Sequence, residues 1–410
     1  MKIKKIALHW QILIAIISGI LFGFFCTEQI AYVDWAGAVF MRLLKMIVVP
    51  LVFCSVVAGV AGISATDGFL RLGGKTLGYY LFTCIVAILT GTFFVNLIKP
   101  GQGLTIALPE TASIASTMQM NLRDFLIEII PDNVFQAFAS MNMVGIIVFA
   151  IFFGVFLGKS KHQGAHKVQQ AIEGIGDVII KLTLLILKLA PIGIFGLIAG
   201  VVAAEAGDIE KLGQMLESQG WYAFTVLLGI SVHMFITLSI LLFAMGRFNP
   251  FKHLYQMRDV LLMSFSTASS NGTLPLTLSH VKSRLNVPEK IANFTIPVGA
   301  TVNMNGTSLY ECVAVIFITQ VYGMDLSVAQ QAFIVLTALL IGIGAAGIPM
   351  GSLVMTVIII QIIGLPAESI GLILLVDRFL DMARTSLNVY SDTVCSVLIA
   401  KSEKMGPLNK

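Results

Sequence analysis

Asp377-Arg-Phe-Leu-Asp381-Met-Ala-Arg384-Thr385-Ser-Leu-Asn388-Val-Tyr-Ser-Asp392 lies inside the last hydrophobic run of the chain, Ser369–Ala400. With about 100° per residue, Asp377, Asp381, Arg384, Thr385, Asn388 and Asp392 fall on a single arc of about 100°. The opposite face is Phe379, Leu380, Met382, Leu387, Val394, Val397 and Leu398. A charge at the centre of a bilayer costs at least ~2.5–3.5 kcal/mol, so such residues face a bundle interior and mark an ion or substrate path. A structural salt bridge between Asp381 and Arg384 at i, i+3 would account for two of them. It leaves the Thr, the Asn and the other two Asp on the same stripe unexplained. Arg offers a planar fork that grips a carboxylate through two bonds. Asp381 can take an ammonium group, and Asn388 with Asp392 supplies hard oxygen ligands for a small cation.

The rest of the chain says what surrounds this helix. It has 410 residues, 57% hydrophobic and 12% charged, with a mean hydropathy of +0.91. A soluble domain carries about 25% charged residues. A spanning helix needs about 20 apolar residues, and such runs recur near Ile6–Cys26, Val33–Ile63, Leu77–Leu97, Met141–Gly158, Val178–Ala203, Trp221–Met245, Ile291–Thr319 and Ala332–Ile363. The expected fold class is therefore all-α integral membrane. Cations gather in alternate loops: Lys2, Lys4 and Lys5, then Arg71 and Lys75, then Lys159, Lys161 and Lys167, then Arg247 and Lys252. The positive-inside rule places the N-terminus in the cytoplasm, with the first span a retained helix. The net charge of +4 resides in these loops and is no nucleic-acid signature. Cys26, Cys54, Cys84, Cys312 and Cys395 are scattered, without a CxxC spacing, and read as buried small residues.

Two hydrophobic segments are interrupted by small and turn-forming residues: Ser264–Ser279 (SFSTASSNGTLPLTLS) and Ile341–Leu353 (IGIGAAGIPMGSL). Backbone freed at membrane depth must be satisfied by protein or by a water-filled cavity. A pair of such segments points to a transporter's binding site; kinked helices packed through small residues are the alternative. Between them, Gly299-Ala-Thr-Val-Asn303-Met-Asn305-Gly-Thr307-Ser-Leu-Tyr-Glu311 reads as a helix that unwinds at Asn303–Thr307 and frees carbonyls for an ion.

At these residues the sequence resembles the glutamate transporter family, the dicarboxylate/amino acid:cation symporters, over nearly its whole length. Ser-Ser-Asn-Gly-Thr-Leu-Pro is similar to the first re-entrant hairpin tip and Ala345-Ala-Gly-Ile-Pro349 to the second. Asn303–Thr307 resembles the family's Asn-Met-Asp-Gly-Thr, and Asp381–Asp392 its last helix. The resemblance implies eight transmembrane helices plus two re-entrant helical hairpins, inverted repeats, a homotrimer and an elevator mechanism. It implies a scaffold of residues 1–63 and 124–203 (spans 1, 2, 4, 5). The transport domain would be residues 77–98 and 221–402: spans 3, 6, 7 and 8, hairpin 1 at about 256–281 and hairpin 2 at about 330–363. Ser270, Thr307, Ile348, Ser352, Asp381, Arg384, Thr385 and Asn388 would contact the substrate. Gly299, Asn303, Asn388 and Asp392 would form one sodium site; Thr301, Gly342, Ile343 and Ala345 would form a second. Glu311 stands where proton-coupled animal members have Glu and is expected to carry the proton.

The sequence also departs from that pattern. The Arg that members place at the first hairpin tip, or one residue after the aspartate matched by Asp381, is replaced by Ala268 and Met382. The family Asp is Asn305, and a Ser of the same third sodium site is Cys84. The reading is a symporter importing L-glutamate and L-aspartate with H+ and/or Na+, without a cofactor, in a prokaryotic inner membrane with both termini cytoplasmic. Asp381 argues against plain C4-dicarboxylates, which lack an ammonium, and Arg384 against neutral amino acids. An anion-conducting channel is the rival of another class. A membrane enzyme finds no support, because HExxH and GxSxG are absent.

Overall fold

The computed structural model describes residues 8–64, 70–103, 127, 130–204, 209–343 and 351–404. Among these residues the regular structure is entirely helical. In chain order the helices are α1 (Leu8–Phe25), α2 (Asp34–Ser64), α3 (Leu70–Ile98), α4 (Val134–Ala139), α5 (Met143–Lys159), α6 (Gln163–Leu187), α7 (Ala190–Ala204) and α8 (Ile209–Val232). A π-turn over His233–Thr237 then leads into α9 (Leu238–Ala244). There follow α10 (Pro250–Thr267), α11 (Ser270–Ser283), α12 (Glu289–Val302), α13 (Asn305–Val321), α14 (Val328–Ile343), α15 (Gly351–Ile362) and α16 (Leu374–Ser402).

Among the described residues three helical stretches are long and apolar enough to cross a membrane on their own: Asp34–Gly62, Arg71–Ile98 and Gly213–Ala244. The run read as a single span at Val178–Ala203 is broken in the middle: α6 and α7 meet at a bend of 55° and together are long and apolar enough to cross. Helix α16, 29 residues long, is more polar and buries Asp377, Asp381, Arg384 and Asp392. The exterior shows the reverse: Phe82, Ile85, Leu89, Phe93 and Leu97 on α3 are all exposed. A soluble protein rarely leaves so continuous an apolar face uncovered; hydrocarbon makes it favourable. The apolar face of α3 thus looks outward while Asp377, Asp381, Arg384 and Asp392 of α16 are buried.

Helices α1, α2, α5, α6 and α7 pack mainly on one another, and α3, α8, α10, α12 and α13 gather around α16. Small residues permit the close approaches. A Cβ on Gly193 would collide with Phe40, and one on Gly23 would lie 2.6 Å from the Ala199 carbonyl.

Both interruptions that fall on described residues are breaks in helix. Helix α10 starts with Asn249 as its cap and Pro250 in its first turn, and α11 starts with Ser269 bonded to the Gly272 N–H. Between them Ala268 turns the chain in the left-handed region, at φ 49°. The break thus sits at Ala268–Ser269, inside the interrupted segment Ser264–Ser279, and Pro275 is inside α11. Helix α12 ends at Val302 and α13 begins at Asn305, so the unwinding expected over Asn303–Thr307 is confined to Asn303 and Met304, while Asn305, Gly306 and Thr307 are already helical. Residues 344–350, with Ala345 and Ile348, lie outside the described residues.

Candidate substrate and ion site

The unwound step at Asn303–Met304 lies against the middle of α16. A Cβ on Gly306 would come within 2.5 Å of the Arg384 carbonyl oxygen, so glycine is what lets α13 start so close to α16. Asn388 fastens the contact. Its Oδ1 accepts from the Gly306 N–H at 2.7 Å, and its Nδ2 donates to Thr307 Oγ1 at 3.1 Å. One turn further, Asp392 Oδ1 accepts from Asn303 Nδ2 at 2.7 Å. Gly299 completes this corner, because a side chain there would strike the Asp392 carboxylate. Asn303 Oδ1 is buried without a hydrogen-bond partner. Gly299, Asn303, Asn388 and Asp392 are therefore brought together, and carboxylate, amide and carbonyl oxygens are what a small hard cation takes as ligands.

Toward the start of α16 the stripe is ionic. Arg384 donates from Nε and Nη2 to Asp381 Oδ1 at 3.1 and 2.9 Å, and from Nη1 to Asp377 Oδ1 at 3.2 Å. The i, i+3 salt bridge exists, yet it is one part of a larger cluster. Tyr310 on α13 donates its hydroxyl to Asp377 Oδ1 at 2.6 Å, and its ring lies under the Arg384 guanidinium, 4.1 Å from centroid to Cζ. Arg378 binds the other oxygen of Asp381, Nη1 to Oδ2 at 3.2 Å. Arg384, Asp377 and Asp381 are all buried. Unpaired charges so placed would cost several kcal/mol each; interleaving them offsets the cost.

The other candidates are placed as follows. Ser270 is buried at the first position of α11, Thr307 near the start of α13, and Ser352 in α15 with its hydroxyl unpartnered. Thr385 Oγ1 donates to the Asp381 carbonyl of its own helix at 2.7 Å. Thr301 does likewise toward Pro297 and Val298; it lines a cleft of about 520 Å³ together with Cys54, Gly59, Asn271 and Phe294. Gly342 lies against Ser308, whose hydroxyl fills the space a side chain there would need. Ile343 closes α14; Ala345 and Ile348 are outside the described residues. Glu311 is wholly buried, and neither carboxylate oxygen has a hydrogen-bond partner.

Four residues of this neighbourhood carry no role in the sequence reading. Arg378 and Asp377 were legible as charges in an apolar run. Tyr310 was not, since an aromatic in such a run reads as core. His233 is the fourth. It opens the π-turn between α8 and α9, and its Nε2 lies 3.5 Å from Asn305 Nδ2, which donates to Ser391 Oγ at 2.9 Å.

Comparison with known proteins gives the family. Residues 8–402 match the sodium:dicarboxylate symporter family. The chain belongs to this family. It is 33% identical to the proton/sodium-glutamate symport protein of Bacillus caldotenax, over 98% of this chain and 95% of that protein. It is 32% identical to the proton/glutamate-aspartate symporter of Escherichia coli K12, over 98% and 94% of the two chains. It is 31% identical to excitatory amino acid transporter 3 of Mus musculus, over 97% and 86%. These are membrane transporters, not enzymes, and this symporter-family member is an integral membrane protein.

Proposed function

We propose that this protein imports acidic amino acids, L-glutamate and L-aspartate, in symport with H+ and/or Na+. The observation that carries the reading is the buried Asp381–Arg384 pair beside the broken backbone at Asn303–Met304. A guanidinium, a carboxylate and freed main-chain groups are what a ligand with one ammonium and two carboxylates requires. Arg384 is the carboxylate clamp and Asp381 the ammonium acceptor. Ser270, Thr307, Ile348, Ser352, Thr385 and Asn388 complete the substrate shell. Gly299, Asn303, Asn388 and Asp392 hold one transported cation, and Thr301, Gly342, Ile343 and Ala345 a second. A third cation site has no support, because Asn305 brings no charge and faces His233 and Ser391.

The assembly in this reading is a homotrimer with eight spans and two re-entrant hairpins, one being α10–α11. Residues 1–63 and 124–203 form the scaffold; residues 77–98 and 221–402 move as an elevator. The gathering of α3, α8 and α10 around α16, apart from α1 and α2, supports that division. The membrane is a prokaryotic inner membrane with both termini in the cytoplasm, as the loop cations indicate. Glu311 carries the proton, since an unpartnered ionised carboxylate would be costly to move through the bilayer.

Uptake of labelled aspartate and glutamate into proteoliposomes, with sodium and proton gradients imposed separately, tests this. Saturable uptake driven by either gradient is the expected result. Current without concentrative uptake would make the protein an anion channel instead.

A further inference from the structure

Each oxygen of the Asp381 carboxylate is held by a different guanidinium. Arg384, three residues on, takes Oδ1 with two donors; Arg378, three residues before, takes Oδ2 with one, at 3.2 Å. On the helix the two arginines flank Asp381 at about 60° to either side. A ligand's ammonium that takes Asp381 Oδ2 therefore competes with Arg378, and one that takes Oδ1 competes with Arg384.

The two are not equally held. Arg384 is 1% exposed, bonds Asp377 as well, and stacks on the Tyr310 ring. Arg378 is 14% exposed, its guanidinium bonds Asp381 alone among the described residues, and its Nε is buried without a partner. The weaker hold is on Arg378, so it is Arg378 that yields.

We infer that Arg378 is a built-in counter-ion of Asp381 that the substrate's ammonium replaces, and that it determines how strictly the site demands an ammonium. The inference rests on the acidic amino-acid reading above and adds a specificity residue to it. Charge counting gives the reason. Asp377 and Asp381 bring two negative charges, Arg378 and Arg384 two positive. A ligand with an ammonium takes Oδ2 and sets Arg378 free. A dicarboxylate without one leaves Arg378 in place, and Asp381 stays neutralised. The argument that Asp381 alone excludes plain dicarboxylates therefore weakens in this protein: Arg378 makes the site tolerant of them.

The test is isothermal titration of the purified protein with L-aspartate and with succinate, the coupling cations saturating. Wild-type protein is expected to bind both. Arg378→Gln should raise the ratio of the succinate Kd to the aspartate Kd at least tenfold, because aspartate no longer displaces a side chain while succinate leaves Asp381 short of a cation. Arg378→Lys should stay near the wild-type ratio. An unchanged or lower ratio in Arg378→Gln overturns the inference and makes Arg378 a scaffold residue or a second carboxylate clamp. If Arg378→Gln fails to fold, Arg378→Met is measured in its place, and the wild-type titration decides independently. Absence of succinate binding at roughly 1,000 times the aspartate Kd, about three factors of ten in affinity, rejects the inference without any variant. Failure of the wild-type protein to bind aspartate or glutamate would reject the substrate reading itself, a different result.

Discussion

Arg384 reaches back along its own helix to Asp377, with Nη1 3.2 Å from Oδ1, and the same oxygen takes the Tyr310 hydroxyl at 2.6 Å. Two acidic side chains and one aromatic thus fix the guanidinium before any ligand contact is considered. Pre-set geometry of this kind lowers the cost of ordering a clamp on binding. Arg384→Cys removes one charge from a buried cluster and leaves its partners uncompensated, a loss of about 3–5 kcal/mol. Uptake of aspartate and glutamate should fall by more than a hundredfold, and Arg384→Lys should not restore it, because an ammonium cannot reproduce the fork. Near-normal transport by either variant, at wild-type expression in the membrane, would remove Arg384 from the substrate shell.

Tyr310→Phe separates the two contacts of that tyrosine. The ring stays under Arg384, so the cation–π contact survives, while Asp377 loses its shortest hydrogen bond. Losing one hydrogen bond to a charged group costs about 1.5–3 kcal/mol. The expected outcome is a ten- to hundredfold rise in the aspartate Kd, with Asp377 acting through Arg384. A variant with wild-type affinity would show that Asp377 contributes nothing to positioning.

Just past the end of α16, Glu403 pairs with Lys75 and Arg71 at the start of α3. The hydrogen bond from Lys75, with the charge of Arg71, holds the Glu403 carboxyl below the usual glutamate range. A carboxyl lowered on folding stabilises the fold above its ordinary value, about 4.3, and loses that contribution as pH falls through the folded value. Glu403→Gln should therefore melt below wild type at pH 7, and the gap should close as pH drops under about 4. Both cations are partly exposed, so the effect is small and shrinks in high salt. A melting difference that persisted unchanged at pH 3 would assign the effect to packing.

How much of this was legible beforehand follows from the kind of signal each residue gives. Asp381, Arg384, Asn388 and Asp392 declared themselves because helical periodicity is strict and charges are rare at that depth; the observed hydrogen bonds join three of the four to α12, α13 or Asp377. The unwinding at Asn303–Met304 was legible for a related reason, Asn-Met-Asn-Gly being a poor helix sequence inside an apolar run. The first hairpin's turn falls inside the segment Ser264–Ser279, at its Ala268–Ser269 step. Asn271-Gly272 is the stronger turn signal by composition, but Ser269 offers the cap and Ala268 accepts a left-handed backbone. The bend between α6 and α7 escaped because Lys188 and Pro191, which mark it, interrupt the run only briefly between apolar neighbours. Arg378 escaped because one more charge beside Asp377 says nothing about which oxygen it will bind.

Glu311 bears on the driving ion. It lies in α13, four residues after Thr307 and so one turn further along the helix, and both its carboxylate oxygens are buried without a hydrogen-bond partner. An ionised carboxylate in that position would face a desolvation cost of several kcal/mol, whereas the neutral acid crosses the bilayer with far less. A proton on Glu311 can therefore serve as the coupling ion that Asn305, lacking charge, does not help to bind. Glu311→Gln is nearly isosteric and permanently neutral. It should leave aspartate affinity within about threefold, under 1 kcal/mol, while abolishing the acceleration of uptake by an inward proton gradient. The measurement is proteoliposome uptake at fixed sodium with and without that gradient, in wild type and variant. If wild-type uptake follows sodium alone and ignores the proton gradient, Glu311 is a structural carboxyl and the coupling rests on the oxygens around Asp392.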